Sequence, residues 1–322
     1  MDYHKIRISV LIPAFKATYL KEAVESVLNQ TYNLWELIVV DDNSPYRIES
    51  IIDCFDDPRI SYYRNDVGFG ALHVVGNWNK CLSYASGDFV LCMGDDDKLA
   101  PECLANYVRL ISKYPNLDVY HTRLEMIDET STVCYIKDVD DRPEFEDAYT
   151  FMTERFKGRS QFIGDYLFRT ETLRNRGGFI DFPCAWFSDE ITVVMMIGGK
   201  GIANTQETGF FYRINRYSIS SNSTNTKSKL EAIYKAKAWY DMYLNKIQIS
   251  SSKIETLKKL LKKYMSHSEF VTISYDISFR LISGIAYWKQ TYSIGYVLMC
   301  LAYGFRLKVG RIIKSFFKGG KL

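Results

Sequence analysis

Two acidic clusters follow directly on short apolar runs of this chain. Residues 37–40 are Leu-Ile-Val-Val and precede Asp41 and Asp42, and residues 89–93 precede Gly94 and the three aspartates at 95–97. Apolar runs of this length, bounded by Gly, Asn and Asp, are typical of strands buried on both faces of a parallel sheet. Ligands of such sheets bind beyond the carboxyl ends of the strands. Both clusters are therefore expected at one ligand-binding edge of an α/β sheet.

The second cluster also restricts what can bind there. Three successive carboxylates repel one another, and a divalent cation would neutralise that repulsion. The alternative is a solvated acidic turn, since Asp and Asn are ordinary turn residues. Two such clusters in this order favour the ligand site.

The first hundred residues alternate between strand and helix patterns. Strands are predicted over residues 8–12, 35–40, 60–64 and 89–93, and helices over 20–28, 48–55 and 75–85. Pro13 is expected to end the first strand, and Gly87 to provide a left-handed cap for the third helix. The β-α-β-α order predicts a mainly parallel central sheet with right-handed crossovers and flanking helices.

The rest of the chain gives a less regular pattern. We predict helices over 102–114, 230–244 and 254–265, and a further helix that opens near 187–191. Strands are predicted over 119–126 and 209–213, with an aromatic strand-like run over 161–168. An acidic loop is predicted over 128–146 and a mobile loop over 218–228. The expected organisation is a ligand-binding and catalytic domain over 1–225 and a helical extension over 226–322.

Composition and charge exclude several classes of protein. The chain has 322 residues, 47% of them hydrophobic, which is enough for a full core. Its seven cysteines and four histidines show no metal-ligand spacing, and no Ser-His-Asp triad is indicated. The start of the chain does not resemble a signal peptide, and the apolar stretch 294–305 is shorter than the roughly 20 residues that cross a bilayer. We therefore expect a cytoplasmic protein.

The C-terminal tail carries most of the positive charge. From residue 253 onward there are 13 Lys and Arg against three acids, whereas the whole chain has a net charge of +3. Apolar residues at 305, 309, 312, 313, 316 and 317 would share one face of a helix with basic residues beside it. This pattern predicts a helix that lies on an anionic membrane surface. The alternative is a helix packed on the protein's own core, and binding to nucleic acid is not expected.

Taken together, these segments resemble the family 2 glycosyltransferases of the GT-A fold, inverting bacterial enzymes that build polysaccharides from nucleotide-sugars. The likeness covers about two thirds of the chain. It is carried by Val-Leu-Ile-Pro-Ala-Phe at 10–15, Ser-Val-Leu-Asn-Gln-Thr at 26–31, Glu-Leu-Ile-Val-Val-Asp-Asp-Asn-Ser at 36–44, Asn-Lys at 79–80, Ala-Ser-Gly-Asp-Phe-Val at 85–90, the aspartates at 95–97, Gly-Gly-Phe at 177–179, Ser-Asp-Glu at 188–190 and Tyr-Arg at 212–213. The resemblance implies a Rossmann-like sheet and a nucleotide-sugar donor.

The resemblance also implies a metal site at the second acidic cluster. Gly94 stands where many members carry the first Asp of a DxD signature, so the chain departs from the family pattern there. The later aspartate is the usual metal contact, which makes Asp96 the expected main ligand of Mg²⁺ or Mn²⁺. Asp97 is the expected neighbouring ligand, and Asp95 is expected near the ribose or the metal-bound waters.

The expected nucleotide site lies at the first cluster. Asp41 or Asp42 would accept a hydrogen bond from the base, which is most simply uracil. Pro13, Ala14 and Phe15 would supply backbone and apolar surface beside it.

Three further residues have ambiguous functions. The resemblance places Asn79 and Lys80 beside the nucleotide, but a helix-start Asn and a solvated Lys explain them equally well. Arg213 would hold the pyrophosphate or a loop over it, and the alternative is a surface arginine on an edge strand.

Inversion at the anomeric carbon requires one general base on the acceptor side. Asp189 is the first candidate and Glu190 the second, and a residue in the first turn of a helix also serves as a cap. The expected activity is transfer of a sugar from a nucleotide-sugar to a glycan or lipid-linked glycan, on the inner face of the bacterial plasma membrane. The alternatives are a nucleotidyltransferase, which would need a glycine-rich phosphate loop after the first strand, and a non-catalytic sugar-nucleotide-binding or glycan-binding protein.

Overall fold

The structure is a computed structural model that describes residues 5–135, 142–215 and 225–318. The side chains of residues 135, 279 and 308–318 lie outside this description. Residues 218–224 of the mobile loop predicted over 218–228 and most of the apolar face predicted for the tail also fall outside it. Of that face, the described part holds Phe305, which is 44% exposed. Residues 226–228 of the predicted loop are helical instead, in the helix Thr226–Leu244.

The first hundred residues form the parallel half of one sheet. The strands are β1 (Ile8–Ala14), β2 (Trp35–Asp41), β3 (Ile60–Arg64) and β4 (Phe89–Cys92), connected by the helices α1 (Leu20–Leu28), α2 (Ile48–Ile52) and α3 (Val74–Tyr84). Their order in the sheet is β3-β2-β1-β4, and every neighbouring pair is parallel. The predicted α/β fold with crossover helices is confirmed.

The second half of the sheet is mixed. It comprises β5 (Lys98–Leu99), α4 (Cys103–Lys113), β6 (Val119–Ile127), β7 (Val133–Tyr135), β8 (Phe145–Glu146), α5 (Ala148–Phe156), β9 (Tyr166–Arg169), α6 (Thr170–Asn175), α7 (Ser188–Ile197) and β10 (Ile202–Arg213). The sheet continues from β4 in the order β9-β6-β10-β5. Strand β9 runs antiparallel to both of its neighbours, whereas β10 is parallel to β6.

Both faces of the sheet are covered, because successive side chains of a strand point to opposite faces. On β1, Val10 and Ile12 pack in the apolar cluster that includes buried residues of α1 and α4, whereas Leu11 packs in the cluster that includes residues of α3. A near-continuous apolar run is the expected sequence of such a strand.

Four helices follow the last strand: α8 (Thr226–Leu244), α9 (Ser251–Arg280), α10 (Ile282–Trp288) and α11 (Ile294–Lys318). Helix α9 is much longer than the predicted 254–265. Leu257 and Ile273 of α9 belong to the same buried cluster as Phe156 of α5 and Ile191 of α7. The helical extension therefore shares a core with the sheet domain. The predicted domain boundary at 225 remains a prediction.

Within the described ranges, no helix is both long and apolar enough to cross a membrane.

Two local predictions were wrong. Strand β1 does not end before Pro13 but pairs through it, with Pro13 opposite Val40. On its other side β1 pairs with β4 only as far as Leu11, so the missing proline N–H costs no ladder hydrogen bond. Gly87 is not a left-handed cap, because α3 ends in extended backbone at Ala85. A Cβ at Gly87 would lie 2.8 Å from the carbonyl oxygen of Arg7. The backbone at residue 87 packs so closely against the start of β1 that only glycine fits there.

The stretch 128–146 was expected to be a loop. Its described residues contain β7, which pairs with β6, and β8, which pairs with β10. Strands of two and three residues are too short to show a period-2 pattern, so no strand was predicted there.

Candidate functional site

Asp41 lies at the end of β2 and is completely buried. Its carboxylate accepts hydrogen bonds from the backbone N–H of Ser44, at 2.7 Å, and from the hydroxyl of Tyr62, at 2.9 Å. The guanidinium of Arg64 also donates to it. Asp41 thus joins the ends of β2 and β3 and shapes the rim of the sheet.

Asp42 shapes the loop that follows β3. It accepts hydrogen bonds from the backbone N–H groups of Phe69, at 2.8 Å, and Gly70, at 3.0 Å. Asn65 donates to it as well, at 3.1 Å. Gly68 approaches so closely that a Cβ there would lie 2.5 Å from the carbonyl oxygen of Asp42. This close approach explains why the loop needs glycine at residue 68.

Asp95 brings the first strand and the aspartate triplet together. Its carboxylate accepts hydrogen bonds from the backbone N–H groups of Phe15, at 2.7 Å, and Lys16, at 2.6 Å. Ala14 is buried and Phe15 is 44% exposed at this edge. The expected neighbourhood of the triplet and the segment 13–15 is therefore present.

Asp96 is held by two side chains that the sequence analysis did not assign. The ammonium of Lys16 donates to its carboxylate, and the amide of Asn215 donates to the same oxygen at 2.6 Å. Burial opposes the charge of Lys16, but the three aspartates outweigh it and raise the pKa of the lysine. Lys16 therefore stays protonated and partly neutralises the triplet. The available signal for it was a single basic residue in the loop after β1.

Asp97 ties the triplet to β10. It accepts hydrogen bonds from the backbone N–H of Arg213, at 2.9 Å, and of Gly94, at 3.3 Å. Burial, with the neighbouring Asp96, raises the pKa of Asp97 well above its usual range. Burial also raises the pKa of Asp95, to about 6, although Lys16 opposes that shift.

Burial is the largest cause of the raised pKa of Asp95 and of Asp97, and a cation would offset the cost of burying these charges. The described residues include no group of three His, Cys, Asp or Glu side chains that would hold a metal by itself. A Mg²⁺ ion typically uses one or two carboxylates and takes its other oxygen ligands from substrate phosphates and water. The donor set at 95–97 fits an ion bound in that way.

Arg213 braces the loop that carries the triplet. It is 1% exposed and lies on β10, which is flanked by β6 and β5, so the alternative of a surface arginine on an edge strand is wrong. Its Nε donates to the carbonyl oxygen of Asp96 at 2.7 Å, and its Nη2 donates to Glu22 at 3.0 Å. The guanidinium also lies 4.1 Å from the ring centroid of Tyr19. A direct contact between Arg213 and pyrophosphate remains a prediction.

In the described part of the structure, Asn79 and Lys80 contact other residues than the aspartates at 41–42 and 95–97. Both ends of the Asn79 amide bind the backbone of Phe179: its nitrogen donates to the carbonyl oxygen at 2.9 Å, and its oxygen accepts from the N–H at 2.8 Å. Lys80 is exposed, and its ammonium lies 5.2 Å from the ring centroid of Tyr84. These contacts favour the structural interpretation of both residues.

Glu190 is almost completely buried and fully engaged. Arg155 of α5 pairs with it at 2.7 Å, and the hydroxyls of Tyr240 and Tyr264 donate to it at 2.6 and 2.8 Å. This cluster, which we call the Glu190 anchor, joins α5, α7, α8 and α9. Its tyrosines come from helices far along the chain, so no local sequence pattern predicts this cluster.

Asp189 has a different environment from its neighbour. Its carboxylate accepts one hydrogen bond, from the backbone N–H of Glu190, at 2.8 Å. Burial raises its pKa to about 6, and Glu190 adds to this shift while Arg155 opposes it. Just before α7, Phe187 adopts a left-handed conformation with φ of 68°. Such strain in a non-glycine residue is frequent at functional sites.

A cavity of about 580 Å³ extends from the aspartate triplet at 95–97 to the two carboxylates at 189–190. Gly94 and Asp97 line it at the end of β4, and Asp189 lines it at the start of α7. Helix α9 forms another wall, which includes Tyr264 and His267. The sequence analysis did not anticipate that the helical extension contributes to the site.

The Glu190 anchor generates a stability prediction. In Glu190→Gln the buried guanidinium of Arg155 loses its charged partner, and the free energy of unfolding should fall by about 3 kcal/mol. In the control Glu231→Gln, which removes an exposed i,i+4 pair with Lys235, it should fall by about 0.5 kcal/mol or less. Urea denaturation of the three proteins measures both changes. Equal stabilities of the two variants would contradict this account.

The chain matches a model of the family described as "Glycosyl transferase family 2" over residues 9–188, which is more than half of its length. Among curated proteins, it is 32% identical over 127 residues to "UDP-Glc:alpha-D-GlcNAc-diphosphoundecaprenol beta-1,3-glucosyltransferase WfgD" of Escherichia coli. That match covers 39% of this chain and 49% of the relative, so the chain spans about half the length of this relative.

Two solved structures are similar in fold. S. aureus TarS 1-349 in complex with UDP-GlcNAc superimposes with a TM-score of 0.67 at 14% identity, over 94% of this chain and 92% of that one. Mannosyltransferase PcManGT from Pyrobaculum calidifontis, in complex with GDP-Man and Mn2+, gives a TM-score of 0.57 at 17% identity, over 97% and 83% of the two chains. The fold is therefore of the GT-A type, and the match over residues 9–188 shows that this chain belongs to glycosyl transferase family 2.

Proposed function

We propose that this protein is an inverting, metal-dependent glycosyltransferase that moves a sugar from a nucleotide-sugar, in the first instance a UDP-sugar, to a hydroxyl of a lipid-linked or growing surface polysaccharide. One observation carries the proposal. A carboxylate suited to the donor side, Asp97, and a carboxylate suited to the acceptor side, Asp189, line the same cavity. Transfer of a glycosyl group needs both functions around one carbon atom.

On the donor side, the triplet and Lys16 receive the diphosphate. We assign Asp96 as the main ligand of Mg²⁺ or Mn²⁺, Asp97 as the neighbouring ligand, and Asp95 to the ribose or the metal-bound waters. When bound, such an ion neutralises the charge that develops on the leaving diphosphate. Arg213 holds the backbone of Asp96 and so positions the triplet.

The nucleotide would lie along the ends of β1 and β2. Asp41 and Asp42 already accept three hydrogen bonds each from the protein, and a carboxylate has about four acceptor positions. An acceptor position for the base N–H is within reach on Asp42, which is 7% exposed, whereas Asp41 is completely buried. Pro13, Ala14 and the exposed ring of Phe15 supply the adjacent surface.

On the acceptor side, we assign Asp189 as the general base. The acceptor hydroxyl oxygen forms a bond to the anomeric carbon while the bond to the diphosphate breaks, with its electron pair going to the phosphate oxygen. The hydroxyl proton moves to a carboxylate oxygen of Asp189. A pKa of about 6 leaves most of this carboxylate ionised at neutral pH and still basic enough to accept a proton. The three donors on Glu190 disfavour it as the base.

The acceptor class is inferred from a relative. The E. coli relative WfgD is named for transfer from UDP-Glc to a sugar-diphosphoundecaprenol, which is a lipid-linked acceptor. The basic, apolar tail of this chain would place such an acceptor within reach by binding the inner face of the plasma membrane. Both statements are proposals for this chain.

A pair of variants tests the base. We expect Asp189→Asn to bind UDP normally and to lose transfer by about 100-fold or more, because an amide cannot accept the proton. Glu190→Gln keeps the proposed base and should lose much less transfer than Asp189→Asn under conditions where it is folded. Sugar transfer or UDP release, measured with UDP-glucose and UDP-N-acetylglucosamine, gives the rates, with the exposed Asp241→Asn as a control. Normal transfer by Asp189→Asn together with an inactive, folded Glu190→Gln would show that the neighbouring residue is the base.

A second experiment tests the metal. Calorimetric titration with UDP should show tighter binding in Mn²⁺ than in EDTA for the wild-type protein. In Asp96→Ala the affinity in Mn²⁺ should fall at least about tenfold, while the affinity in EDTA stays the same. Asp53→Ala, which removes an exposed carboxylate after α2, is the matched control. Equal wild-type affinities in Mn²⁺ and EDTA would contradict metal dependence.

A further inference from the structure

Three nitrogen donors lack acceptors around the cavity that holds Asp189. Among the described residues, no acceptor is in reach of Arg155 Nε, Gln161 Nε2 or Trp186 Nε1, and all three atoms are buried. All three residues line the cavity. A buried donor without an acceptor destabilises a protein, and native proteins contain few of them. Three around one cavity therefore indicate a ligand that supplies acceptor atoms.

Gln161 gives the clearest case. It is 7% exposed, and its amide oxygen accepts a hydrogen bond from the hydroxyl of Tyr166 at 3.2 Å. With the amide in this orientation, its Nε2 is left without an acceptor among the described residues.

Arg155 and Trp186 add donors of different geometry. Two nitrogens of the Arg155 guanidinium are engaged, by Glu190 and by the carbonyl oxygen of Arg159, which leaves Nε. The ammonium of Lys229 lies 4.8 Å from the ring centroid of Trp186 and so covers one face of that ring. The carboxylates of Glu190 and Asp189 already interact with the positive charge of Arg155, so a neutral oxygen is a suitable acceptor for Nε.

The other walls of the cavity fit a sugar ring. Phe162 and Tyr212 line it and stack on each other, with ring centroids 4.1 Å apart. Aromatic faces suit the apolar C–H surfaces of a pyranose, and its hydroxyl and acyl oxygens are acceptors. The cavity thus combines apolar walls with a few placed polar groups, as small-molecule sites do.

We propose that Arg155, Gln161 and Trp186 select the transferred sugar by donating hydrogen bonds to its oxygen substituents. This inference rests on the proposed function, because the anomeric carbon must lie between the diphosphate at the triplet and the base Asp189. The cavity that both groups line is therefore the place of the sugar ring. A sugar without oxygens at these positions would leave the donors unpaired, which makes them determinants of specificity.

The test separates binding of the sugar from binding of the nucleotide. The affinities of UDP, UDP-glucose, UDP-galactose and UDP-N-acetylglucosamine are measured by calorimetry in Mn²⁺, with GDP, GDP-mannose, dTDP and dTDP-glucose as further pairs. The variants are Gln161→Glu, which keeps an oxygen for Tyr166, Gln161→Met, which has a similar size, and Trp186→Phe. The control is Trp35→Phe, because the indole nitrogen of Trp35 is also buried without an acceptor among the described residues, but Trp35 does not line the cavity.

We expect each cavity variant to bind the preferred nucleotide-sugar roughly 5- to 20-fold more weakly and the free nucleotide with unchanged affinity. Trp35→Phe should change neither affinity. Unchanged nucleotide-sugar affinity in all three cavity variants, or the same loss in Trp35→Phe, would overturn this inference and leave the proposed function standing. If the wild-type protein binds none of the nucleotides or nucleotide-sugars, the proposed function fails, and this inference fails with it.

Discussion

The compensation of buried negative charge at the carboxyl edge of the sheet is the constraint on which the site depends. Two distant parts of the chain hold the aspartates of the triplet. Asp95 binds the loop after β1, Asp96 binds Lys16 of that loop and Asn215, and Asp97 binds the end of β10 through the N–H of Arg213. Because three carboxylates in a row can be buried only with such partners, the edge draws β1, β4 and β10 together.

The same physics separates the functions of two adjacent carboxylates on α7. Glu190 is surrounded by a guanidinium and two hydroxyls, and it connects the helical extension to the sheet domain. Asp189 has one backbone partner and lines the cavity. Adjacent side chains near the start of a helix point in different directions, so one residue can serve packing and the other chemistry. The anchor thereby holds the proposed base in place against the cavity wall formed by α9.

The sequence predicted those features that depend on local pattern. The bounds of β3 were predicted correctly, and the acidic clusters lie at strand ends as expected, because buried parallel strands have a short apolar signature. The antiparallel insertion of β9 between β4 and β6 was not predicted, since strand order depends on contacts between distant segments. Arg213 and Glu22 form a pair across 191 residues, and no local pattern indicates such a partner.

The candidate site was likewise predicted only in part. The residues at strand ends were identified from their spacing and from the family resemblance. Lys16 was missed because its significance comes from the three carboxylates that surround it. The wall formed by α9 was missed because amphipathic periodicity shows that a helix is buried but not which surface it covers. The choice between Asp189 and Glu190 depends on the tyrosines of α8 and α9, which bind Glu190. A motif at 188–190 cannot reveal these distant partners.

The most direct test of the account is the pH dependence of kcat for sugar transfer, measured at saturating donor and Mn²⁺. At saturation, the bound donor and Mn²⁺ keep the carboxylates of the donor site ionised. The fall of kcat at low pH therefore reports protonation of the general base. Asp189 must be deprotonated to act, and burial raises its pKa to about 6, so the rate should fall as the pH drops below about 6. A rate that stays constant down to about pH 4, the range of an ordinary aspartate, would contradict the assignment of Asp189 as the base.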